Sequence, residues 1–167
     1  MAGALIITAE IAAADFSWLE GLRRAHYPFE RNQVAAHLTI FHALPPSAET
    51  ELRPRLSKIV RQEAPRASIE GLMDLGGGVA FRVVSTDLDR IRDELASDLF
   101  GLLGAQDSGG WRPHITIQNK VSPRIARALK QTLERTFKPR PLRITGLDLS
   151  RYHDGPWERL AAYKFRF

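Results

Sequence analysis

Two short stretches of this chain, Ala36-His37-Leu38-Thr39-Ile40 and Pro113-His114-Ile115-Thr116-Ile117, carry the same pattern seventy-seven residues apart. Each contains a histidine, an apolar residue, a threonine and a second apolar residue. With five histidines in the chain, chance would give about 0.1 such matches, so finding two is roughly a one-in-a-hundred event. The repetition predicts two similar half-patterns, each presenting one copy of the motif.

The spacing within each motif indicates a strand with one polar face and one apolar face. Side chains at i and i+2 of a strand point to the same side. His37 therefore shares a face with Thr39, as His114 does with Thr116. The opposite faces are predicted to fill cores with Leu38, Ile40, Ile115 and Ile117. If the two strands are neighbours, their polar faces form a cleft with two imidazoles and two hydroxyls.

Such a cleft suits attack on a phosphodiester. A neutral imidazole can take a proton from the nucleophile while an imidazolium protonates the leaving oxygen, since the ordinary histidine pKa is about 6.5. The hydroxyls of Thr39 and Thr116 can donate hydrogen bonds to phosphate oxygens, where charge develops. No carboxylate-rich or His-x-x-x-His cluster is visible in the sequence to hold a metal. We therefore expect catalysis by His37, Thr39, His114 and Thr116 with neither metal nor cofactor.

Outward from the motifs, hydrophobic periodicity and turn residues predict a mixed α+β chain whose second half echoes the first. Asp15, Ser47 and either Thr86 or Asp87 are predicted to cap helices, and Gly76-Gly77-Gly78 is predicted to be a hairpin turn. The predicted strands are 4–11, 36–44, 68–75, 79–84, 114–121, 142–152 and 160–167, and the predicted helices are 16–26, 48–62, 87–103 and 122–137. A polar loop is expected over 104–110.

Length and composition indicate one domain, residues 1–167, without disulfides. The chain has 167 residues and no cysteine, which excludes thiolate nucleophiles and Cys-ligated zinc and fits a reducing cytoplasm. A net charge of +5 favours an anionic partner. No apolar run approaches the roughly 18 residues of a membrane span, and we expect a monomer with no membrane partner.

Five further residues are candidates for binding substrate. Phe41 and Gln118 share the polar face if their strands stay regular, and Phe41 could stack on a base, although an aromatic residue on a strand more often packs in the core. Arg24 and Arg112 could hold phosphate oxygens, although a solvated surface arginine is an equally good interpretation of each. Tyr152 is placed near the cleft by its position before a turn.

The remaining histidines are left out of the predicted site. His42 would point to the face opposite His37 in a regular strand. His26 and His153 have no matching partner elsewhere in the chain. The alternative interpretation of any single histidine is a side chain that is hydrogen-bonded in a core, and only the matched pair outweighs it.

The paired motifs resemble those of the two-histidine phosphoesterases, which include 2′-5′ RNA ligases and 2′,3′-cyclic phosphodiesterases. Arg23-Arg24-x-x-Tyr27-Pro28, His37-Leu38-Thr39-Ile40 and Arg112-Pro113-His114-Ile115-Thr116-Ile117 follow one another in family order. The resemblance implies two pseudo-symmetric β-α-β lobes with mostly antiparallel sheets that face each other across a central cleft. It also assigns the four motif residues to the catalytic site.

This resemblance implies a metal-independent phosphodiesterase that hydrolyses 2′,3′-cyclic phosphate ends of RNA or nucleotides and joins RNA ends by the reverse reaction. The partners expected are RNA 3′ ends or nucleotide cyclic phosphates. Two alternatives stay open from the sequence. One is a non-catalytic RNA-binding or nucleotide-binding protein that retains the cleft, and the other is an enzyme for a small non-RNA cyclic phosphate.

Overall fold

A computed structural model describes residues 3–166 of the chain, and its elements follow the predicted order with one addition. The strands are β1 (Leu5–Ile11), β2 (Leu38–Leu44), β3 (Arg66–Asp74), β4 (Val79–Val84), β5 (His114–Gln118), β6 (Arg140–Tyr152) and β7 (Trp157–Lys164). The helices are α1 (Ala13–His26), α2 (Glu49–Ile59), α3 (Thr86–Asp98), α4 (Ala105–Ser108) and α5 (Pro123–Glu134). The short helix α4 is the addition, within the segment predicted to be a loop.

The strands pair in two four-stranded antiparallel sets that share β6. One set runs β2-β1-β6-β7 and the other runs β5-β4-β3-β6. Residues 140–143 of β6 pair with β3, while residues 144–151 pair with β1. At the other end, β2 meets β5 through the pair Leu38↔Ile115, which closes the strand order on itself. The predicted α+β fold with two antiparallel lobes is confirmed.

The apolar faces of the motif strands fill the core as predicted. Leu38, Ile40, Ile115 and Ile117 are each 0% exposed to solvent. Burial of such side chains contributes about 1.5–3 kcal/mol each to folding. The motif backbones are therefore held on a rigid, packed support, with their histidines and threonines on the opposite side.

Two helix starts differ from the predictions. Asp15 does not cap α1, which begins at Ala13; its carboxylate instead accepts a hydrogen bond from the backbone N–H of Arg143 on β6. Ser47 does not cap α2, because a single 3₁₀ turn over 46–48 precedes that helix. At α1 a contact with β6 replaces the predicted cap. At α2 the preceding 3₁₀ turn does so.

The start of α3 is also one residue earlier than predicted. Ser85 is the N-cap, where its hydroxyl oxygen accepts from the backbone N–H of Leu88; Thr86 and Asp87 lie inside the first turn. At α5, Ser122 is the N-cap, and its hydroxyl oxygen accepts from the backbone N–H of Ile125.

The glycine run forms the predicted hairpin turn between β3 and β4. Gly76 has a φ of +85°, a left-handed conformation that favours glycine. At Gly78, a Cβ would collide with the backbone of Gln118, so only glycine lets the turn approach the end of β5.

The boundaries of two strands differ modestly from the predictions. β5 ends at Gln118 rather than at 121, and β7 begins at Trp157 rather than at 160. Residue 167, the last of the predicted final strand, lies outside the described residues. Within residues 3–166, no helix is both long and apolar enough to cross a membrane.

Candidate active site

The two motifs are neighbours at the junction of β2 and β5. Their register is fixed by the antiparallel pair Leu38↔Ile115. Continuing this register places His37 opposite Thr116 and Thr39 opposite His114. Residues opposite each other share a sheet face. Each histidine thus lies across from the threonine of the other motif, in a twofold-like arrangement.

The four motif side chains line one small cavity. Its volume is about 180 Å³, and its walls are Ile6, His37, Thr39, His42, His114, Thr116 and Trp157. Pockets for drug-sized ligands typically measure about 300–1,000 Å³. This cavity therefore fits a group such as a phosphoryl group, with the rest of a larger ligand outside it. The predicted convergence of the two motifs is what the structure shows.

Both motif histidines are oriented by the same backbone contact. Nδ1 of His37 lies 2.8 Å from the carbonyl oxygen of Ala35, and Nδ1 of His114 lies 2.7 Å from that of Arg112. A carbonyl oxygen can only accept, so each Nδ1 carries a hydrogen and donates it. In a neutral ring, Nε2 is then the unprotonated nitrogen, available to accept a proton.

The surroundings of His37 lower its pKa to about 4. Desolvation is the largest cause, and the Trp157 ring, 4.7 Å away between ring centroids, contributes to that cover. The hydrogen bond to Ala35 opposes the shift, while the positive charges of Arg23, His114 and His42 add to it. His37 is therefore neutral at pH 7.

Each motif strand contains a β-bulge directly after its threonine. In β2, Thr39 pairs with Thr8 and Phe41 with Ile7, so a step of two residues along β2 matches a step of one residue along β1. In β5, Thr116 pairs with Ala80 and Gln118 with Val79, again two against one. A bulge re-aims the side chains that follow it.

The bulges overturn two predicted substrate contacts. Phe41 is 0% exposed and packs in the core, and Gln118 is only 3% exposed. Their predicted places in the cleft are wrong. Each bulge adds one residue to its strand, so side chains after it point to the opposite face from the one predicted by counting from Thr39 or Thr116.

The same shift brings His42 into the cavity wall, where sequence parity had excluded it. Its Nδ1 lies 3.2 Å from Oδ1 of Asp107 on α4, and its backbone N–H donates to the same oxygen at 2.8 Å. The backbone N–H of Ala43 donates to Oδ2. Desolvation alone would raise the pKa of the buried Asp107, but these hydrogen bonds and the charge of His42 lower it.

Side chains from other elements bind the carbonyl groups at the bulges. The indole Nε1–H of Trp111 donates to the Thr39 carbonyl at 3.2 Å, and the guanidinium of Arg23 donates to the Thr116 carbonyl at 3.0 Å. Arg92 donates to the Ile40 carbonyl and also to that of Asp107. Buried carbonyls without partners are costly, so these contacts stabilise the bulged backbone.

The other predicted binding residues do not line the cavity. Arg24 is exposed and pairs with Glu20 at 3.6 Å; the neighbouring arginine, Arg23, is the buried one. Arg112 contributes its carbonyl to His114, while its side chain lies in an adjacent groove. Tyr152 pairs with Trp157 across β6 and β7, so it lies on the same sheet face beside the cavity.

Sequence reasoning missed His42, Trp157 and the supporting residues Arg23, Arg92, Trp111 and Asp107. A partial signal existed for Trp157, which follows the turn after Tyr152. For Asp107, on a four-residue helix far along the chain, there was none.

A larger cavity, about 990 Å³, lies elsewhere between β1, α1 and β7 and contains none of the motif residues. Its walls are mainly apolar, with charged residues at Glu10, Glu63, Arg143, Lys164 and Arg166. Over the described part of the chain, no group of three or more His, Asp or Glu side chains could hold a metal ion. The four motif residues lie together in the smaller cavity.

Comparison with known proteins agrees with this arrangement. The model of the 2′-5′ RNA ligase superfamily matches residues 10–156. A search of curated protein sequences found no match. Among solved structures, the chain is similar to TT0787 of Thermus thermophilus, with 18% identity, 98% of each chain covered and a TM-score of 0.67. It is also similar to LigT from E. coli in complex with 3′-AMP, with 17% identity, 100% of each chain covered and a TM-score of 0.60.

At these identities the solved structures show the fold alone. The family model, however, spans most of the chain and includes both His-x-Thr motifs. This protein therefore belongs to the 2′-5′ RNA ligase superfamily, the two-histidine phosphoesterases.

Proposed function

We propose that this protein is a metal-independent phosphodiesterase that opens 2′,3′-cyclic phosphates at RNA 3′ ends or on nucleotides, with 2′-5′ ligation when an RNA 5′-hydroxyl replaces water as the nucleophile and the 3′ oxygen leaves. One observation carries the proposal: two imidazoles, each with Nδ1 fixed on a carbonyl, line one phosphoryl-sized cavity with two threonines. That set can deliver one proton and remove another across a single phosphorus atom.

The surroundings of His37 support an assignment of roles to the two histidines. His37 has a pKa of about 4 and is neutral at pH 7, so we assign it as the base that takes a proton from water at Nε2. The new bond forms between the water oxygen and phosphorus, and a P–O bond to the ribose breaks. His114, starting as the imidazolium, gives the Nε2 proton to the departing ribose oxygen.

The hydroxyls of Thr39 and Thr116 are proposed to donate to the two non-bridging oxygens. Charge on those oxygens changes as the fifth bond to phosphorus forms, and donors fixed in place stabilise that state most. The core contacts behind both strands support this assignment, because Leu38 and Ile115 are fully buried.

A nucleotide is the substrate class we propose. The solved structures of LigT from E. coli include complexes with 3′-AMP, ATP and NADP+, and this chain has a net charge of +5. The cavity holds the cyclic phosphate, and the base extends past Trp157 and Tyr152. We propose that the protein acts as a monomer in the cytoplasm. Its lack of cysteine fits this compartment, because a chain without disulfides is unaffected by reducing conditions.

The test is hydrolysis of the four nucleoside 2′,3′-cyclic phosphates in excess EDTA, with the 2′- and 3′-monophosphate products separated. We expect turnover to persist, since the two imidazoles supply both proton transfers without a metal. A second series uses RNA that ends in a cyclic phosphate, and compares its kcat/KM with that of the mononucleotides.

Three outcomes would change the proposal. Loss of all activity in EDTA, with recovery on adding one divalent ion, contradicts the mechanism. Binding of cyclic nucleotides without turnover supports the non-catalytic alternative. Turnover of a small non-nucleotide cyclic phosphate, but of no nucleotide, replaces the substrate class.

A further inference from the structure

The cavity contains a third imidazole that the two-histidine reaction does not use. The β2 bulge brings His42 to the wall beside His37 and Thr39. Its side chain is 35% exposed, whereas that of its partner Asp107 is 1% exposed. A buried carboxylate placed behind a cavity-lining imidazole is a specific arrangement that core packing does not require.

Asp107 fixes the orientation of this imidazole. The carboxylate can only accept, so Nδ1 of His42 donates to Oδ1, and Nε2 is the ring nitrogen left for a molecule in the cavity. Asp107 is itself held by the backbone N–H groups of His42 and Ala43. Its own carbonyl accepts from the guanidinium of Arg92 on α3.

The charge inside the cavity makes this third group important. None of the described side chains that line it is a lysine or an arginine. His37 is neutral at pH 7, and His114 must surrender its proton during the reaction. Among the described residues of the cavity wall, His42 is therefore the side chain that can donate to a phosphodiester anion without a part in either proton transfer.

We propose that His42 is a phosphate-binding residue of this site, with Asp107 as the residue that positions it. As an imidazolium, His42 would donate one hydrogen bond to the carboxylate through Nδ1 and one to a phosphate oxygen through Nε2. The titratable groups that face this ring are Asp107 from α4 and the cavity-lining His37 and His114; Arg92 reaches it only through Asp107. His42 thereby binds a phosphate oxygen that the two threonines do not.

The inference rests on the proposed function for its substrate, but inorganic phosphate tests it without turnover. We would measure the Kd of phosphate at about pH 6, where an ordinary imidazole is largely protonated. The proteins are the wild type, His42→Phe, His42→Gln and Asp107→Asn. The control is His153→Gln, which alters a second His–carboxylate pair, with Glu158 at 3.0 Å, outside the cavity.

We expect His42→Phe to weaken phosphate binding by about ten- to hundredfold, the effect of losing one charge-assisted hydrogen bond. His42→Gln should recover part of the loss, because its amide can donate. Asp107→Asn should lower the melting temperature, because its amide NH2 cannot accept from the backbone N–H groups that Asp107 now binds, and in the folded protein it should weaken phosphate binding and alter the response of the His42 ring resonance to phosphate. His153→Gln should bind as the wild type does.

The unmodified protein supplies a test that needs no variant. On titration with phosphate, the His42 ring resonance should shift with the same Kd as those of His37 and His114. An unmoved His42 resonance, or unchanged phosphate affinity in folded His42→Phe, would overturn the inference while leaving cyclic phosphate hydrolysis intact. Conversely, a wild type that binds phosphate through His42 but hydrolyses no cyclic phosphate keeps this inference and rejects the proposed function.

Discussion

The first and second motif segments have the same backbone arrangement and different surroundings. In both, Nδ1 of the histidine donates to a carbonyl two residues earlier, and a bulge follows the threonine. In both, a side chain from elsewhere binds the threonine carbonyl. The surroundings differ in that Trp157 packs on His37, and that the first bulge is followed by His42 and the second by Asn119.

The backbone arrangement sets the geometry of the two histidines, whereas the surroundings set the pKa of His37. The shared backbone arrangement directs two identical side chains into one cavity. Burial then lowers the pKa of His37 to about 4, so that its ring is unprotonated at pH 7, the form from which a general base starts. A repeated motif can therefore supply both a base and an acid without any change in its own residues.

The most disruptive way to test the pair is to remove either imidazole. His37→Ala or His114→Ala should lower kcat for a cyclic phosphate by roughly 10² or more, because one proton transfer is lost. The double variant should lose little beyond the worse single variant, since the two act together. Steady-state kinetics and melting temperatures check this.

Near-full activity in either folded single variant would mean that the pairing of the motifs does not reflect their function. Additive losses in the double variant would instead mean that the histidines act in separate steps.

A smaller effect is expected at the hydroxyls, where the two segments should behave alike. Thr39→Val or Thr116→Val keeps a good strand former and removes one donor. We expect kcat to fall by about 10- to 1000-fold with KM little changed, if the donor acts mainly on the transition state. A rise in KM alone would assign the hydroxyl to ground-state binding. A fall in kcat in only one of the two variants would mean that the two threonines do not play the same part.

The smallest effect is expected from uncovering His37, and it would sharpen the difference between the segments. In the wild type, His37 is neutral above about pH 4, so kcat/KM should fall on the acid side only as pH approaches 4. Trp157→Ala admits water and should raise this pKa toward about 6.5. The acid limb of kcat/KM should move upward with it, and at pH 7 the rate should change by only a few-fold.

NMR titration of the His37 ring measures the same pKa directly. The conservative change Trp157→Phe, which retains an aromatic cover, is the matched control and should keep the acid limb close to that of the wild type. An acid limb that stays in place in Trp157→Ala would show that some other group covers His37.

The sequence predicted the parts of this site that depend on local periodicity. The His-x-Thr spacing placed each histidine and threonine on one side of its strand and the apolar residues in the core, and the structure agrees at Leu38 and Ile115. The alternation of strands and helices also predicted the element order.

The parts that depended on irregular backbone or on distant contacts could not be predicted. Ile40-Phe41 and Ile117-Gln118 read as ordinary strand residues, and nothing local indicates that each pair is bulged. Parity therefore placed Phe41 and Gln118 in the cleft and excluded His42. Helix periodicity likewise gave no reason to prefer Arg23 over Arg24, because burial of Arg23 depends on Asn32 and on the carbonyl of Thr116.

The sharing of β6 between the two strand sets has a mechanical consequence. Through β6 the two halves are joined by one unbroken strand with neighbours along both of its edges, whereas at the cavity their strands pair only at Leu38↔Ile115 and are otherwise linked by side-chain hydrogen bonds such as those of Arg23 and Trp111. Local opening is easiest where the fewest hydrogen bonds must break. We therefore expect the two halves to separate first at the β2–β5 junction and last at β6. In hydrogen exchange, backbone amides at that junction should exchange with solvent before those of β6.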